Sequence, residues 1–328
     1  MKSTLKITAY TAALAASFAA AYGVGSTVAP APVAADAPAA HAGHGANHGD
    51  TPGGGGERHA GGGGAAGGHG APAGGLEISE GGYTLDLQTL RIAADRTSEL
   101  RFAIRDRAGR QVTSYQREHD KELHLILASR DLRTFRHLHP TRAADGTWSI
   151  PATLPEAGAY RLFADFTPAG KGANNLTLGA DLAVSGDYRP APLPATSAVA
   201  EVDGYTVTLD GRLRPGTPGA LTVKVTKDGR PVTDLDPYLG AYGHLVALRS
   251  GDLAYLHVHP NGEPGDGETK SGPEISFTAT APSAGAYRLF LDFRHKGTVR
   301  TAAFTVRADG GGDAGKGAEP EATPGHQH

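Results

Sequence analysis

The sequence predicts an all-β protein made of two tandem immunoglobulin-like β-sandwich domains. Three observations lead to this fold class. Short runs of Val, Leu, Ile, Phe, Tyr and Thr alternate with polar residues, Gly, Pro, Asp and Asn separate the runs, and an internal repeat is present. Each repeat spans roughly 110 residues, close to the size of an immunoglobulin-like sandwich. No stretch carries a convincing helical period.

The repeat consists of four matched stretches. They are Gly82–Thr84 with Gly204–Thr206, Gly109–Thr113 with Gly229–Thr233, His124–Pro140 with His244–Pro260, and Ala157–Phe163 with Ala284–Phe290. From Gly109 through the His-x-His motif the copies are offset by 120 residues, and afterwards by 127, because a longer loop, Asn261–Gly272, lies in the second copy. Spacing is therefore kept in predicted strands and changes in a predicted loop.

The chain begins with a predicted export segment. Lys2 and Lys6 precede an uncharged, Ala-rich run that extends to about Val28, and Val33–Ala35 offers a small-residue cleavage site. The run is also long enough to span a bilayer if it is left uncleaved. Residues 1–35 are thus a signal peptide or an N-terminal membrane anchor. In both cases we expect an extracytoplasmic protein, secreted or tethered to the membrane.

The remaining chain divides by composition. Residues 36–75 and 308–328 are rich in small and polar residues, and they have too few large apolar side chains to offset the entropy cost of ordering. We predict disorder in both. Between them lie the first sandwich (76–187), a Pro-rich linker (188–195) that should be extended and fairly stiff, and the second sandwich (196–307).

Composition also excludes several classes of function. The 328-residue chain has a net charge of -3, no basic block and 6% aromatic residues, so a nucleic-acid partner is not expected. Cysteine is absent and Met1 is the only methionine, which excludes disulfides, thiolate ligands and a blue-copper centre. A bound metal would need imidazole and carboxylate ligands, and the 15 histidines make such a site feasible.

Each repeat carries three histidines on two neighbouring strands. A tight turn predicted at Arg130–Asp131 places His124 opposite His137, and His139 follows on the same face. The second copy repeats this pattern around a turn at Ser250–Gly251. Three converging imidazoles suit Cu(II) or Zn(II), with one position left for water. The predicted metal ligands are His124, His137, His139, His244, His257 and His259.

Asp165 and Asp292 occupy matching positions in a later strand of each copy. Either carboxylate could accept the second N–H of a metal-bound histidine, or it could be purely structural. Histidines at strand ends can also hydrogen-bond to carbonyls and pin a loop without any metal. The charged stretch around His119 has no counterpart in the second copy, and we predict a solvated loop there.

Histidines outside the sandwiches form a further group. Flexible His-rich tracts bind transition metals loosely, and the alternative is a solvated linker that happens to contain histidine. The predicted weak tail sites are His41, His44 and His48, with His59, His69, His326 and His328 in the same kinds of segment.

Three stretches of the second repeat resemble a known type of module. They read DGRPVTDLDPYLGAYGHLVAL, YLHVHP and AGAYRLFLDF. They resemble the small extracytoplasmic β-sandwich modules of the YtkA-like and copper-resistance type, most clearly from about Gly204 to Val306. The resemblance implies a secreted or membrane-tethered sandwich, sometimes concerned with copper. Copper-resistance sandwiches often use methionine ligands, which this chain lacks, so the resemblance supports the fold more than a particular site.

The sequence therefore favours an exported metal-binding protein that buffers or delivers Cu(II), or alternatively Zn(II), outside the cytoplasmic membrane. The expected partners are metal ions and a membrane metal transporter or another envelope protein. The alternative is a non-enzymatic extracellular interaction module with structural histidines. An enzyme is not expected, because a three-histidine hydrolytic centre would lack an obvious general base, and no serine-nucleophile motif or phosphate loop is present.

Overall fold

The computed structural model describes residues 73–256 and 258–309, without the side chain of His259. Every regular element in these ranges is a β-strand, which confirms the predicted all-β class. The strands form two sandwiches in succession, as the repeat predicts. Within the same ranges, no helix has the length and hydrophobicity required to cross a membrane.

The first sandwich contains two five-stranded sheets, ordered β1-β2-β4-β8-β7 and β3-β10-β9-β5-β6. Its strands are β1 (Ser79–Glu80), β2 (Tyr83–Leu87), β3 (Arg91–Ala93), β4 (Ser98–Arg105), β5 (His124–Ser129), β6 (Phe135–Leu138), β7 (Thr141–Arg142), β8 (Thr147–Ala152), β9 (Gly158–Phe166) and β10 (Leu176–Ser185).

The second sandwich repeats this plan with some differences. Its strands are β11 (Val199–Val202), β12 (Tyr205–Gly211), β13 (Gly219–Lys227), β14 (Arg230–Pro231), β15 (Gly243–Arg249), β16 (Tyr255–Leu256), β17 (His259–Pro260), β18 (Glu274–Ala279), β19 (Gly285–His295) and β20 (Thr298–Ala308). One sheet has the order β11-β12-β13-β18-β17, with β14 on β13, and the other has the order β16-β15-β19-β20.

Strands β5 and β15 are buried on both faces. Leu125 and Leu127 of β5 point into the core of the first sandwich, while Ile126 and Ala128 belong to a different apolar cluster. Successive side chains of a strand point to opposite faces, so each of these sheets contacts two cores. This double burial explains the uninterrupted apolar runs after His124 and His244.

The second of these clusters lies between the two sandwiches. The Phe135 ring stacks on the Phe290 ring at 4.2 Å between centroids, and Phe163 lies 5.5 Å from Tyr255. Phe135 and Tyr255 are repeat equivalents, and so are Phe163 and Phe290. The two sandwiches therefore pair crosswise through the same face, as the two halves of a symmetric dimer do.

The hairpins that carry the histidines are shifted from the predicted register. Ile126, not His124, pairs with His137, and Leu248 pairs with Tyr255. The reason is loop length: the connections are Arg130–Arg133 and Ser250–Leu253, not tight turns. The shift is two residues, which preserves side-chain direction. The three histidines of the first copy accordingly keep a common face.

The segment just before β1 begins to be ordered earlier than predicted. The carbonyl of Gly74 accepts the N–H of Tyr255, and Gly75 donates its N–H to Thr177. The buried guanidinium of Arg161 donates to the carbonyls of Gly75 and Leu76. Residues 73–75 are therefore an ordered strap that contacts both sandwiches, where the sequence predicted disorder. The strap is ordered because its peptide groups form hydrogen bonds with polar groups of both sandwiches.

Candidate metal centre

Three imidazoles of the first sandwich converge at the edge of the inter-sandwich face. His124 begins β5, His137 lies in β6, and His139 follows that strand. One nitrogen from each ring can be chosen so that all three lie within 4.8 Å of one another. The ring centroids are 4.8 to 5.3 Å apart. The sandwich fold thus brings the three predicted ligands of the first copy into one cluster.

Hydrogen bonding fixes which nitrogens carry protons. His124 Nε2 lies 3.1 Å from the Glu118 carbonyl oxygen, and His137 Nδ1 lies 2.9 Å from Asp292 Oδ2. Both oxygens can only accept, so these two nitrogens donate. A neutral imidazole has a single N–H. If both rings are neutral, His124 Nδ1 and His137 Nε2, which are 3.1 Å apart, face each other without a hydrogen between them. A cation is needed between them, either a proton or a metal ion.

His139 completes the set of ligands. Its Nε2 atom is buried, and no hydrogen-bond partner for it exists among the residues described. Burial, followed by the charges of His137 and His124, lowers the pKa of His139 to about 2. Burial, followed by the charge of His137, lowers the pKa of His124 to about 4. Both rings are therefore neutral at pH 7, which is the form that coordinates metal.

The second sandwich contributes the carboxylate that holds His137. Asp292 accepts from His137 through Oδ2 and from the Thr301 hydroxyl through Oδ1, at 2.6 Å. The side chains of His137 and Asp292 are only 6% and 5% exposed. A buried carboxylate behind a histidine fixes its tautomer and increases the basicity of its other nitrogen. Asp292, which the sequence left open between two roles, has the geometry of a residue that orients a metal ligand.

His244 of the second sandwich lies beside this cluster. Its ring is 6.2 Å from the His137 ring and 5.1 Å from the His119 ring. Its Nε2 donates to the Tyr238 carbonyl at 2.8 Å, as His124 does to Glu118 in the repeat-equivalent position. Burial lowers the pKa of His244 to about 3, against an opposing effect of the Tyr238 hydrogen bond. The structure thus brings histidines of both copies together, where the sequence predicted one separate cluster for each.

His119 is the site residue that the sequence interpretation missed. The segment around it was predicted to be a solvated loop without a counterpart, yet its ring is partly buried and contacts His124 and His244. His119 and Asp120 both have positive φ, and so do Leu239 and Gly240 at the equivalent positions. The same reversal of the chain, which is typical of a type I′ turn, therefore precedes β5 and β15. The constant offset of 120 residues between the two copies was the sequence signal that could have identified this equivalent turn.

A cavity of about 40 Å³ lies between the sandwiches next to the cluster. That volume is enough for a few water-sized groups. Asp165, the repeat equivalent of Asp292, lines the cavity and accepts from Asn175 Nδ2 at 2.7 Å. Burial and the Asp165 carboxylate raise the pKa of Tyr255 well above its usual value. The polar residues around the cavity are Glu118, His119, His124, His137, Asp165, His244 and Tyr255.

Several predicted ligands lie outside the described residues. These are His257, the side chain of His259, and the tail histidines His41, His44 and His48. The metal cluster predicted for the second copy therefore remains a prediction from the repeat.

The described cluster could hold a divalent transition metal if one of its side chains moved inward. Zn–N bonds of 2.0–2.1 Å limit the distance between two ligand nitrogens to roughly 4.2 Å. The 3.1 Å separation of His124 Nδ1 and His137 Nε2 is within that limit, and the widest gap of 4.8 Å is slightly outside it. Nitrogens of a tetrahedral site lie about 3.4 Å apart, so an inward movement of roughly 1.4 Å by one side chain would complete a three-nitrogen site with a further position open.

The chain matches several solved structures at low sequence identity and low TM-score. The chain is 17% identical to FdeC, an Escherichia coli adhesin, over 71% of this chain and 65% of that one, with a TM-score of 0.22. It is 11% identical to the D00-D0 domain of intimin over 69% and 99%, with a TM-score of 0.21. A DUF4785 family protein from Legionella pneumophila is 10% identical over 68% and 47%, with a TM-score of 0.25. The chain thus spans less than two thirds of FdeC, and these likenesses concern the fold alone.

No curated protein matches the sequence. A family model, described as a domain of unknown function, matches twice, over residues 77–177 and 200–310. The two matches coincide with the two sandwiches, and neither is to a YtkA-like or copper-resistance family. Together they cover well over half of the sequence, and the chain therefore belongs to the DUF8832 family, as a tandem pair of its domains.

Proposed function

We propose that this protein binds Cu(II) or Zn(II) at His124, His137 and His139 and buffers or delivers the metal outside the cytoplasmic membrane. The convergence of three imidazole nitrogens within 4.8 Å, with His124 Nδ1 and His137 Nε2 only 3.1 Å apart, is the observation that carries the proposal. Polar atoms in a buried site are costly unless they are satisfied, and a metal ion would satisfy both nitrogens. The buried Nε2 of His139 has no hydrogen-bond partner in the described structure, and coordination of the same ion would provide one.

The donor set suggests which metals the site would take. Three imidazoles suit borderline ions, and the chain offers no thiolate and no thioether beyond Met1 for Cu(I). Nitrogen sites generally bind Cu(II) more tightly than Zn(II), so we rank copper first. Glu118 and Asp165, which line the cavity, already accept hydrogen bonds from Thr167 and Asn175. We therefore assign neither carboxylate a catalytic role. The proposed activity is reversible binding and release of the metal ion.

The second candidate is a non-enzymatic extracellular interaction module with structural histidines. The bonds from His124 to Glu118 and from His137 to Asp292 favour it, because they fasten a loop and the second sandwich without any metal. In this alternative, a proton shared by His124 and His137 occupies the position of the metal. The two candidates differ in what added metal does to the folded state.

Thermal melting of residues 73–309 at pH 7.5 distinguishes them. A metal that binds only the folded state stabilises it by about 2.7 kcal/mol at a hundredfold excess over Kd. We expect Cu(II) and Zn(II) to raise the melting temperature of the wild type, and we expect His137→Ala/His139→Ala to remove the share of this rise that the described cluster provides. His295 is a matched control, because this buried histidine lies outside the site, between Tyr205 and Asp234. His295→Ala should keep the metal-dependent rise.

The interaction-module alternative predicts another pattern. The His137→Ala/His139→Ala protein would melt at a lower temperature without metal, and metal would change nothing in the wild type. No metal-dependent rise in wild type would end the metal proposal in favour of this alternative.

Export is the second part of the proposal, and it rests on the predicted signal in residues 1–35. A fusion of residues 1–40 to a reporter should carry the reporter across the cytoplasmic membrane. A reporter that stays in the cytoplasm would contradict the proposed place of action.

A further inference from the structure

Two adjacent inter-sandwich contacts connect the packing of the sandwiches to the metal centre. Phe135 stacks on Phe290 at 4.2 Å, and His137 bonds to Asp292 at 2.9 Å. Phe135 and His137 are two residues apart on β6, and Phe290 and Asp292 are two residues apart on β19. Each pair therefore projects from the same face of its strand, and the two contacts form neighbouring rungs of one interface.

Asp292 is set in place by its own sandwich. Its Oδ1 accepts from Thr301 on β20, the strand that pairs with β19, at 2.6 Å. Its other oxygen reaches His137 of the first sandwich. If the sandwiches separated, His137 would lose the Asp292 hydrogen bond that orients its ring towards His124.

From these contacts we infer that metal occupancy of the three-histidine centre and packing of the two sandwiches are one linked equilibrium, in which Asp292 positions the ligand His137 across the interface. The inference rests on the proposed function. Linkage is reciprocal: an interface that favours the metal-ready form of His137 tightens metal binding, and bound metal strengthens the interface by the same factor. The metal centre is thus shared by both DUF8832 domains, although all three of its proposed ligands belong to the first.

The test uses the full chain with the tail histidines replaced by alanine, so that only the sandwiches bind metal. These positions are His41, His44, His48, His59, His69, His326 and His328. Zn(II) affinity is measured at pH 7.5 by competition with a chelator. Asp292→Asn removes the charge while its amide oxygen can still accept from His137. We expect at least about tenfold weaker binding, the usual consequence of losing such a carboxylate.

Phe290→Ala disturbs the interface without touching a ligand, and it should weaken Zn(II) binding at least about fivefold. Phe277→Ala is the matched control, because Phe277 is fully buried in the core of the second sandwich, away from the interface. That variant should bind within about twofold of the wild type, since a general loss of stability does not change the affinity of the folded site. Leucine replaces alanine at both positions if either variant fails to fold.

A second measurement follows packing directly. The chain has no cysteine, so cysteines at the exposed positions Arg101 and Lys224 can carry one spin label on each sandwich. In Phe290→Ala, Zn(II) should narrow the distance distribution between the labels. Wild-type affinity in both Asp292→Asn and Phe290→Ala, or a distribution that Zn(II) leaves unchanged, would overturn the linkage while the proposed function stands. A wild type without histidine-dependent Zn(II) binding would overturn both proposals.

Discussion

The nitrogen atoms of His124, His137 and His139 converge from one face of the first sandwich. Residues separated by an even number of positions share a face of the sheet. The sequence could therefore predict this common face even though the predicted hairpin register was wrong by two residues. The role of Asp292 could not be predicted in the same way. Asp292 lies 155 residues from His137, and only the packing of the two sandwiches brings them together. His119 was misassigned because its charged neighbours are typical of a solvated loop.

Substitution of His139 separates a functional from a structural histidine. Its Nε2 is buried without a partner in the described structure, so metal-free protein should lose little or gain about 1 kcal/mol when His139→Leu removes that atom. The same variant should lose the first sandwich's share of the metal-dependent rise in melting temperature. Urea unfolding with and without Zn(II) measures both effects. A clear loss of metal-free stability would instead identify His139 as a structural residue.

The lowered pKa values predict how metal-free stability depends on pH. His124, His244 and His139 have folded pKa values of about 4, 3 and 2, against ~6.5 in an unfolded chain. Between about pH 6.5 and 4, the unfolded chain binds protons that the folded chain does not bind. The free energy of unfolding therefore has its full value above about pH 6.5 and falls as the pH decreases towards 4. His139→Leu should make this slope shallower by up to one proton. Equal slopes in both proteins between pH 7.5 and 4.5 would contradict the assignment.

At the scale of elements, β5 and β15 are buried on both faces and place the histidines at the end of an apolar row. The continuous apolar runs after His124 and His244 contained that information, although the sequence interpretation treated the strands as ordinary sandwich strands. The strap at Gly74 and Gly75 was beyond prediction, because its composition matches the tail that precedes it. Its order comes from partners far along the chain, Thr177, Arg161 and Tyr255.

A pair of glycines tests the strap. Gly75 has φ +73°, and an added Cβ would lie 2.4 Å from the Phe163 ring, whereas Gly109 has φ +76° with nothing within 4 Å. Alanine costs roughly 1–2 kcal/mol in this left-handed region at either position. Gly75→Ala should lose more, because it must also displace Phe163 or the strap. The two free energies of unfolding, measured in urea, provide the comparison, and equal losses would mean that the strap is not packed as described.

For the whole molecule, the interface between the sandwiches determines how the two copies of the repeat contact each other. The tandem sandwich order follows from the repeat in the sequence, and the two family matches agree with it. Crosswise pairing of the sandwiches does not follow, because Phe135, Phe163 and Phe290 look like ordinary core residues in an alternating pattern. Their partners are set by the approach of two surfaces that the sequence encodes far apart.

The symmetry of that interface predicts the behaviour of a single sandwich. Residues 76–187 alone would expose Phe135 and Phe163, and contiguous exposed apolar patches promote association. Because each sandwich pairs with its own repeat through the same face, the isolated first sandwich should form a dimer through this face. Sedimentation velocity over a range of concentrations should detect the dimer, and Phe163→Glu should abolish it. A wild-type sandwich that is monomeric throughout would contradict the symmetric interface.

We propose that a metal ion binds His124, His137 and His139 beside the Asp292 carboxylate of the second sandwich. The most direct measurement is a crystal structure of the Zn(II)-loaded protein with anomalous data at the zinc edge. We expect a strong peak about 2.0–2.1 Å from a nitrogen of each of the three rings, with His137 Nδ1 still donating to Asp292. Zinc found only at other positions, with His124 and His137 still 3.1 Å apart and no peak between them, would contradict it.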